Sequence, residues 1–351
     1  MMRRLLIFLC LTLTASVVYA GEQDCGDVCA EPIRYGMSAA QIAAWQPPDY
    51  EQLTVNEDLL NDRTYMRVNG EMTVYDAPNG NLVRTLDPGF NFVTTYGGAQ
   101  DGWVQINPNE WVPADQLTYA NNGLSQFTGV FLDGDYPDYM AAWMLVNSYP
   151  SAEPGGTPDE TRDIIWRYTL VHIYESVDID GWRWYQIGAD AWVVQTSVAK
   201  VLPIERPEGV TTDRWMSIDL YEQVLTVFDG DEPIFATLIA TGLPRWPTYE
   251  GVFNIYFRQQ RRNMSWGVVG DDFYFIEEVP WTMFFDEGRA LHGAYWHDGL
   301  GYRRSHGCVN LSITDAHWLY RWVAEEMGSM TSADVEPEGP NVYVYSSDTY
   351  R

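Results

Sequence analysis

An internal repeat restricts the fold of this chain more than any other feature. Trp103-Val104-Gln105-Ile106 followed by Trp111-Val112 returns as Trp184-Tyr185-Gln186-Ile187 followed by Trp192-Val193, every match offset by 81 residues. Each copy reads as short alternating strands broken by turn residues, such as Ala77-Pro78-Asn79-Gly80 and Asp87-Pro88-Gly89 in the first. That pattern suits a small β-barrel rather than a helical array. Pro203, Pro207 and Gly209 then mark a linker over residues 203–211, after which period-2 alternation resumes at 215–219, 223–228, 234–241, 251–256 and 342–345. One long helix is expected over residues 314–327, with Ala316, Leu319, Trp322 and Val323 on one face behind Ser312 or Thr314 as N-cap. A shorter one is expected at 37–45 within an otherwise irregular segment, residues 21–60. The fold class is mainly β.

Composition narrows the partners. With 46% hydrophobic and 15% aromatic residues among 351, the chain is too rich in core formers to stay disordered. Lys+Arg number 21 against 49 Asp+Glu, a net charge of −28 that repels nucleic-acid backbones and anionic lipid headgroups. Arg3-Arg4, an apolar run over residues 5–18 and Val18-Tyr19-Ala20 read as a secretory signal peptide, residues 1–20, an uncleaved anchor being the alternative. No later apolar run reaches the roughly 18 residues of a membrane span, so the expected location is secreted or in the cell envelope, without stable membrane insertion. Cys10 leaves with the signal, and an oxidising compartment could join Cys25 to Cys29. Cys308 is left alone, either buried and inert or kept for its reactivity.

Four of the five histidines lie between His292 and His317, densest at Ser305-His306-Gly307-Cys308-Val309-Asn310. An imidazole beside a thiol raises its thiolate fraction near neutral pH. On extended backbone His306 and Cys308 share a face, so spacing alone favours His306 as the partner. Gly307 would let a substrate backbone approach closely and could turn an N–H towards developing negative charge. His292, His297, His306, Cys308 and His317 are types that zinc accepts, but their spacings match no common zinc pattern.

The repeats resemble bacterial SH3-like cell-wall modules over residues 62–120 and 140–202, where a binding role and a spacer role are both open. Leu291-His292-Gly293, Ser305-His306-Gly307-Cys308-Val309-Asn310-Leu311 and Asp315-Ala316-His317-Trp318-Leu319-Tyr320 resemble the signature of the YkuD-type L,D-transpeptidase family. Gln223-Val224-Leu225, Thr241-Gly242 and Thr248-Tyr249-Glu250-Gly251 extend the likeness over residues 212–346, with Tyr249 where the family has Pro and a compact stretch between His292 and Ser305. The resemblance implies a β-rich catalytic domain with one notable helix. In it Cys308 attacks a peptidoglycan stem tetrapeptide, releases D-Ala and passes the acyl group to a diamino acid amine of a second stem, giving a 3→3 cross-link. It further implies His292 as base, oriented by the Gly293 carbonyl, with oxyanion donors at the Gly307 and Cys308 amides. His306 is then a substrate or oxyanion residue and Ser305 belongs to the catalytic group. Arg303, Arg304, Asn310 and Tyr295 are the substrate-binding candidates. No cofactor or metal is implied, and carbapenem-type inhibitors are expected to bind. The alternatives are an L,D-carboxypeptidase using water, a zinc-dependent wall hydrolase and a non-catalytic wall-binding protein.

Overall fold

Turn residues cut the first repeat into seven short strands: β1 (Thr64–Val68), β2 (Met72–Tyr75), β3 (Leu82–Leu86), β4 (Phe90–Thr95), β5 (Trp103–Asn107), β6 (Glu110–Pro113) and β7 (Leu117–Tyr119). Alternate residues Val68, Met72, Val74, Val104, Ile106 and Val112 point inward to one small core, as period-2 backbone requires. The computed structural model describes residues 35–327 and 339–349. The expected signal peptide, Cys10, Cys25 and Cys29 lie outside them. Ser38 caps a short helix, α1 (Ala39–Ala44), within the helix expected at 37–45, and α2 (Glu57–Leu60) follows.

A two-residue strand, β8 (Val130–Phe131), precedes the second repeat, which comprises β9 (Met140–Met144), β10 (Leu170–Ile173), β11 (Glu175–Ile179), β12 (Trp182–Gly188), β13 (Ala191–Val194) and β14 (Val198–Lys200). Its tryptophans divide by role: Trp143 and Trp192 are fully buried, whereas Trp166 and Trp182 are exposed. Residues 203–211 carry no regular element, yet Val210 is buried with Trp215 and Phe228.

Beyond this lie β15 (Arg214–Asp219), β16 (Val224–Asp229), β17 (Glu232–Leu238), β18 (Gly251–Asn254), a long hairpin β19 (Phe257–Trp266) and β20 (Tyr274–Asp286), β21 (Arg289–Gly293), β22 (Val309–Leu311), α3 (Ile313–Met327) and β23 (Asn341–Tyr345). Ser312, one of the two N-caps weighed, accepts the Asp315 N–H at 3.1 Å. Six strands form one sheet in the order β18-β23-β15-β16-β17-β8. Alternation sends Leu225, Val227, Phe235 and Ile239 to one face, against Met283, Leu291 and Val309 and against Ala316, Leu319 and Val323 of α3. Val224, Ala236 and Leu238 go to the other face, where they meet Ala141, Trp143 and Ala199 of the second repeat. Both faces of these strands are therefore covered.

The first repeat also joins the C-terminal part by main-chain pairing. β4 runs parallel to β20, Phe90 opposite Tyr274 and Phe92 opposite Ile276, in a sheet ordered β22-β21-β20-β4-β1-β7. The Tyr65 and Tyr295 rings stack across this boundary at 3.8 Å, and Glu277 accepts the Thr94 N–H at 2.8 Å.

Candidate active site

Cys308 stands immediately before β22, which runs parallel to β21 with Leu291 opposite Val309 and His292 opposite Asn310. This register brings two distant parts of the sequence into one groove of about 1000 Å³, lined by both Cys308 and His292. The cysteine is half-buried. Burial of its sulfur pushes the thiol pKa up, and a hydrogen bond from the Ala290 N–H and the nearby Arg289 guanidinium pull it down without cancelling the rise. Arg289 is itself fixed: Nε donates to the Pro247 carbonyl at 3.1 Å, Nη1 pairs with Asp286 at 3.0 Å and the Tyr249 ring lies 4.0 Å away.

His292 is buried. Its Nδ1 lies 3.1 Å from the Gly293 carbonyl oxygen, which can only accept, so Nδ1 carries the proton and Nε2 holds a lone pair. The Asn310 side-chain amide faces Nε2 at 3.4 Å. Desolvation lowers the imidazole pKa to about 4, outweighing the Gly293 hydrogen bond, which raises it, while His297 lowers it further. His292 is therefore a neutral imidazole whose tautomer is set by the backbone, with the Nε2 lone pair facing the Asn310 amide.

Two short motifs shape the loop before Cys308. Gln223 donates to the Thr241 hydroxyl at 2.7 Å and accepts the Thr241 N–H at 2.8 Å, and the Thr241 carbonyl takes the Arg304 and Ser305 N–H groups. The Thr248 hydroxyl accepts the Gly242 N–H at 3.0 Å and donates to the Gly307 carbonyl at 2.9 Å. Gly307 has φ +108, and a Cβ there would lie 2.9 Å from Arg289 Nε, so only glycine fits. Ser305 Oγ donates to the Cys308 carbonyl and accepts the Gly307 N–H at 3.1 Å.

Residues 213–344 match the profile of YkuD, the L,D-transpeptidase catalytic domain. They form a YkuD domain. YciB of Bacillus subtilis (strain 168), named as an L,D-transpeptidase, is 26% identical over 136 residues, which span 34% of this chain and 66% of that protein. Solved structures similar to this one include an Enterococcus faecium L,D-transpeptidase carrying a cysteine-to-serine substitution (24% identity, 38% of this chain and 50% of that chain, TM-score 0.31). Another is the catalytic domain of the E. faecium L,D-transpeptidase acylated by ertapenem (22% identity, 39% of this chain and 100% of that chain, TM-score 0.31). The match thus spans just under two thirds of YciB and half of the first of these structures.

Of the residues expected at the site, Cys308, His292, His306, Ser305, Asn310, Arg303 and Arg304 line the groove of the YkuD domain. His306 packs on Trp246 with ring centroids 3.7 Å apart and has Tyr274 at 5.0 Å. Burial lowers its pKa. Gly307 departs from expectation in one respect, because its N–H is committed to Ser305 and does not point a free donor at the groove. Asn310 is buried with its side-chain amide 3.4 Å from His292 Nε2, and it still forms part of the groove wall. Tyr295 is the clear correction: it is fully buried, stacked on Tyr65, with its hydroxyl on the Glu277 carbonyl at 2.6 Å, and it is no substrate contact.

Other groove residues lie outside the motifs that carry the family resemblance. His297 accepts the Gly299 N–H on Nδ1 at 3.0 Å, so its Nε2–H is left to face Asn310, and burial lowers its pKa to about 4. Pro88, Gly89 and Phe90 come from the first repeat. Among the described residues, no three His, Cys, Asp or Glu side chains gather where they could hold a metal ion, and no helix is long and apolar enough to cross a membrane.

Proposed function

We propose that this chain is an exported peptidoglycan L,D-transpeptidase. The observation that carries the reading is the backbone-locked tautomer of His292 in the groove that holds Cys308. Because thiol and imidazole are both neutral at rest, proton transfer accompanies attack rather than preceding it. Cys308 Sγ bonds to the carbonyl carbon before the terminal D-Ala while its proton passes to His292 Nε2. The C–N bond breaks, the proton goes to the leaving amine, and a thioester remains. An amine of a diamino acid in a second stem then attacks, gives its proton to Nε2 and expels the sulfur, closing a 3→3 cross-link. Water in its place gives carboxypeptidase activity.

The Cys308 N–H is the backbone donor assigned to the oxyanion, with His306 on the same wall. Arg303 and Arg304 line the groove and would meet stem carboxylates, for which a guanidinium supplies paired donors. The repeats at 62–120 and 140–202 are taken as SH3-like modules that act with this domain outside the cytoplasmic membrane.

Incubation of the purified protein with disaccharide-tetrapeptide, followed by mass spectrometry, tests this. D-Ala release and dimer formation are expected, and both should be absent in Cys308→Ala. Either product persisting in that variant would refute the assignment. A carbapenem should add covalently to Cys308, and the ratio of dimer to tripeptide measures the split between amine and water.

A further inference from the structure

The first repeat reaches the groove through a turn built to touch it. A Cβ on Gly89 would lie 2.4 Å from the Phe273 carbonyl oxygen, so glycine is what lets residues 87–89 abut the start of β20. The Phe90 N–H donates to that same carbonyl at 3.0 Å. Asn91, fully buried, accepts the Phe275 N–H at 2.8 Å and donates to the Asp87 carbonyl at 2.7 Å, so one side chain fixes the turn to the hairpin. Pro88, Gly89, Phe90 and Phe273 of this seam line the same groove as Cys308.

Phe90 is the exception on its strand. The other five residues of β4 are buried, whereas Phe90 is 43% exposed and lines the groove. It stands opposite Tyr274, about 4.8 Å away across the sheet, and Tyr274 in turn lies 5.0 Å from the His306 ring. Pro88, Phe273, Tyr274, Met264 and Ile276 make the surrounding wall apolar.

We infer that Phe90 is a specificity-determining residue, and that the first repeat completes the groove by holding the apolar flank of the donor stem peptide one strand's width from Tyr274. This rests on the transpeptidase reading and deepens it. Binding contributed by a part of the substrate away from the reacting carbonyl appears in kcat/KM.

The test compares wild type, Phe90→Ala and Phe90→Tyr on disaccharide-tetrapeptide, with iodoacetamide alkylation of Cys308 as a second readout. Phe90→Ala should lower kcat/KM roughly tenfold, mainly through KM, as loss of an aromatic contact implies. Its alkylation rate should match wild type, and Phe90→Tyr should restore most of the loss. The inference fails if the alanine variant stays within about twofold of an active wild type, or if alkylation slows in parallel, which marks a disturbed thiol rather than a lost contact. Absence of D-Ala release by the wild type would instead defeat the transpeptidase reading.

Discussion

His292 Nδ1 lies 3.1 Å from the carbonyl oxygen of the next residue, Gly293, so the main chain itself dictates which nitrogen can act as a base. With the imidazole pKa lowered to about 4 and the thiol pKa raised by burial, the resting pair is uncharged. Alkylation of Cys308 should therefore climb about tenfold per pH unit from roughly pH 6 to 8.5, because only the thiolate reacts. A plateau at low pH would reveal a resting thiolate–imidazolium pair and overturn this account. His292→Ala should cost about 10²–10⁴ in turnover, and His306→Ala less, since His306 stacks on Trp246.

Arg289 is the cation that pulls the Cys308 pKa down. Arg289→Gln should raise the thiol pKa further and slow alkylation severalfold near neutral pH. Arg289→Lys should recover part of the rate through its charge, although it cannot reproduce the contacts to the Pro247 carbonyl and Asp286. Equal rates for the Gln and Lys variants would show that those contacts, not the charge, matter.

The Thr248 hydroxyl is buried and joins the Gly242 N–H to the Gly307 carbonyl. Thr248→Val keeps the shape but leaves both groups unpaired, at a cost of about 1–3 kcal/mol. A lower urea midpoint is expected, together with a fall in kcat larger than any change in KM, because the loop carrying Gly307 sets the Cys308 backbone. Unchanged stability would mean that the two groups find other partners.

What could be read in the sequence follows from how local each cause is. The strands at 215–219 and 223–228 were legible because their alternation feeds two cores. The hairpin strand β20 was not, since Glu278 and Trp281 take positive φ of 49 and 57 and interrupt the period. Buried Glu277 adds to the difficulty, as it is satisfied by Thr94 and Asn107 from the first repeat. At the site, Cys308 and His292 could be named from their motifs. Spacing favoured His306 as the thiol's partner because the parallel pairing of His292 with Asn310 is a long-range fact. Tyr295 was misplaced for the same reason, its stacking partner Tyr65 lying in the first repeat.

Asp315 at the start of α3 offers a pH test of the interface between the β8 segment and the YkuD domain. Its buried carboxylate accepts the Gly129 N–H at 3.1 Å and the Thr237 hydroxyl at 2.6 Å. Desolvation nevertheless raises its pKa to about 7, against the lowering effect of those bonds. The folded state thus holds a proton that the unfolded chain has lost above about pH 4, so this group makes stability fall as pH rises from about 4 to 7, with the full cost present above that. His292 and His297, both lowered to about 4, act in the opposite sense over about pH 4 to 6.5, but they are shared by wild type and variant and cancel in the difference. Between about pH 5 and 8, wild type should therefore lose about 1–3 kcal/mol of stability relative to Asp315→Asn in urea unfolding. A difference that stays constant with pH would show that the carboxyl remains ionised throughout, held by Gly129 and Thr237 alone.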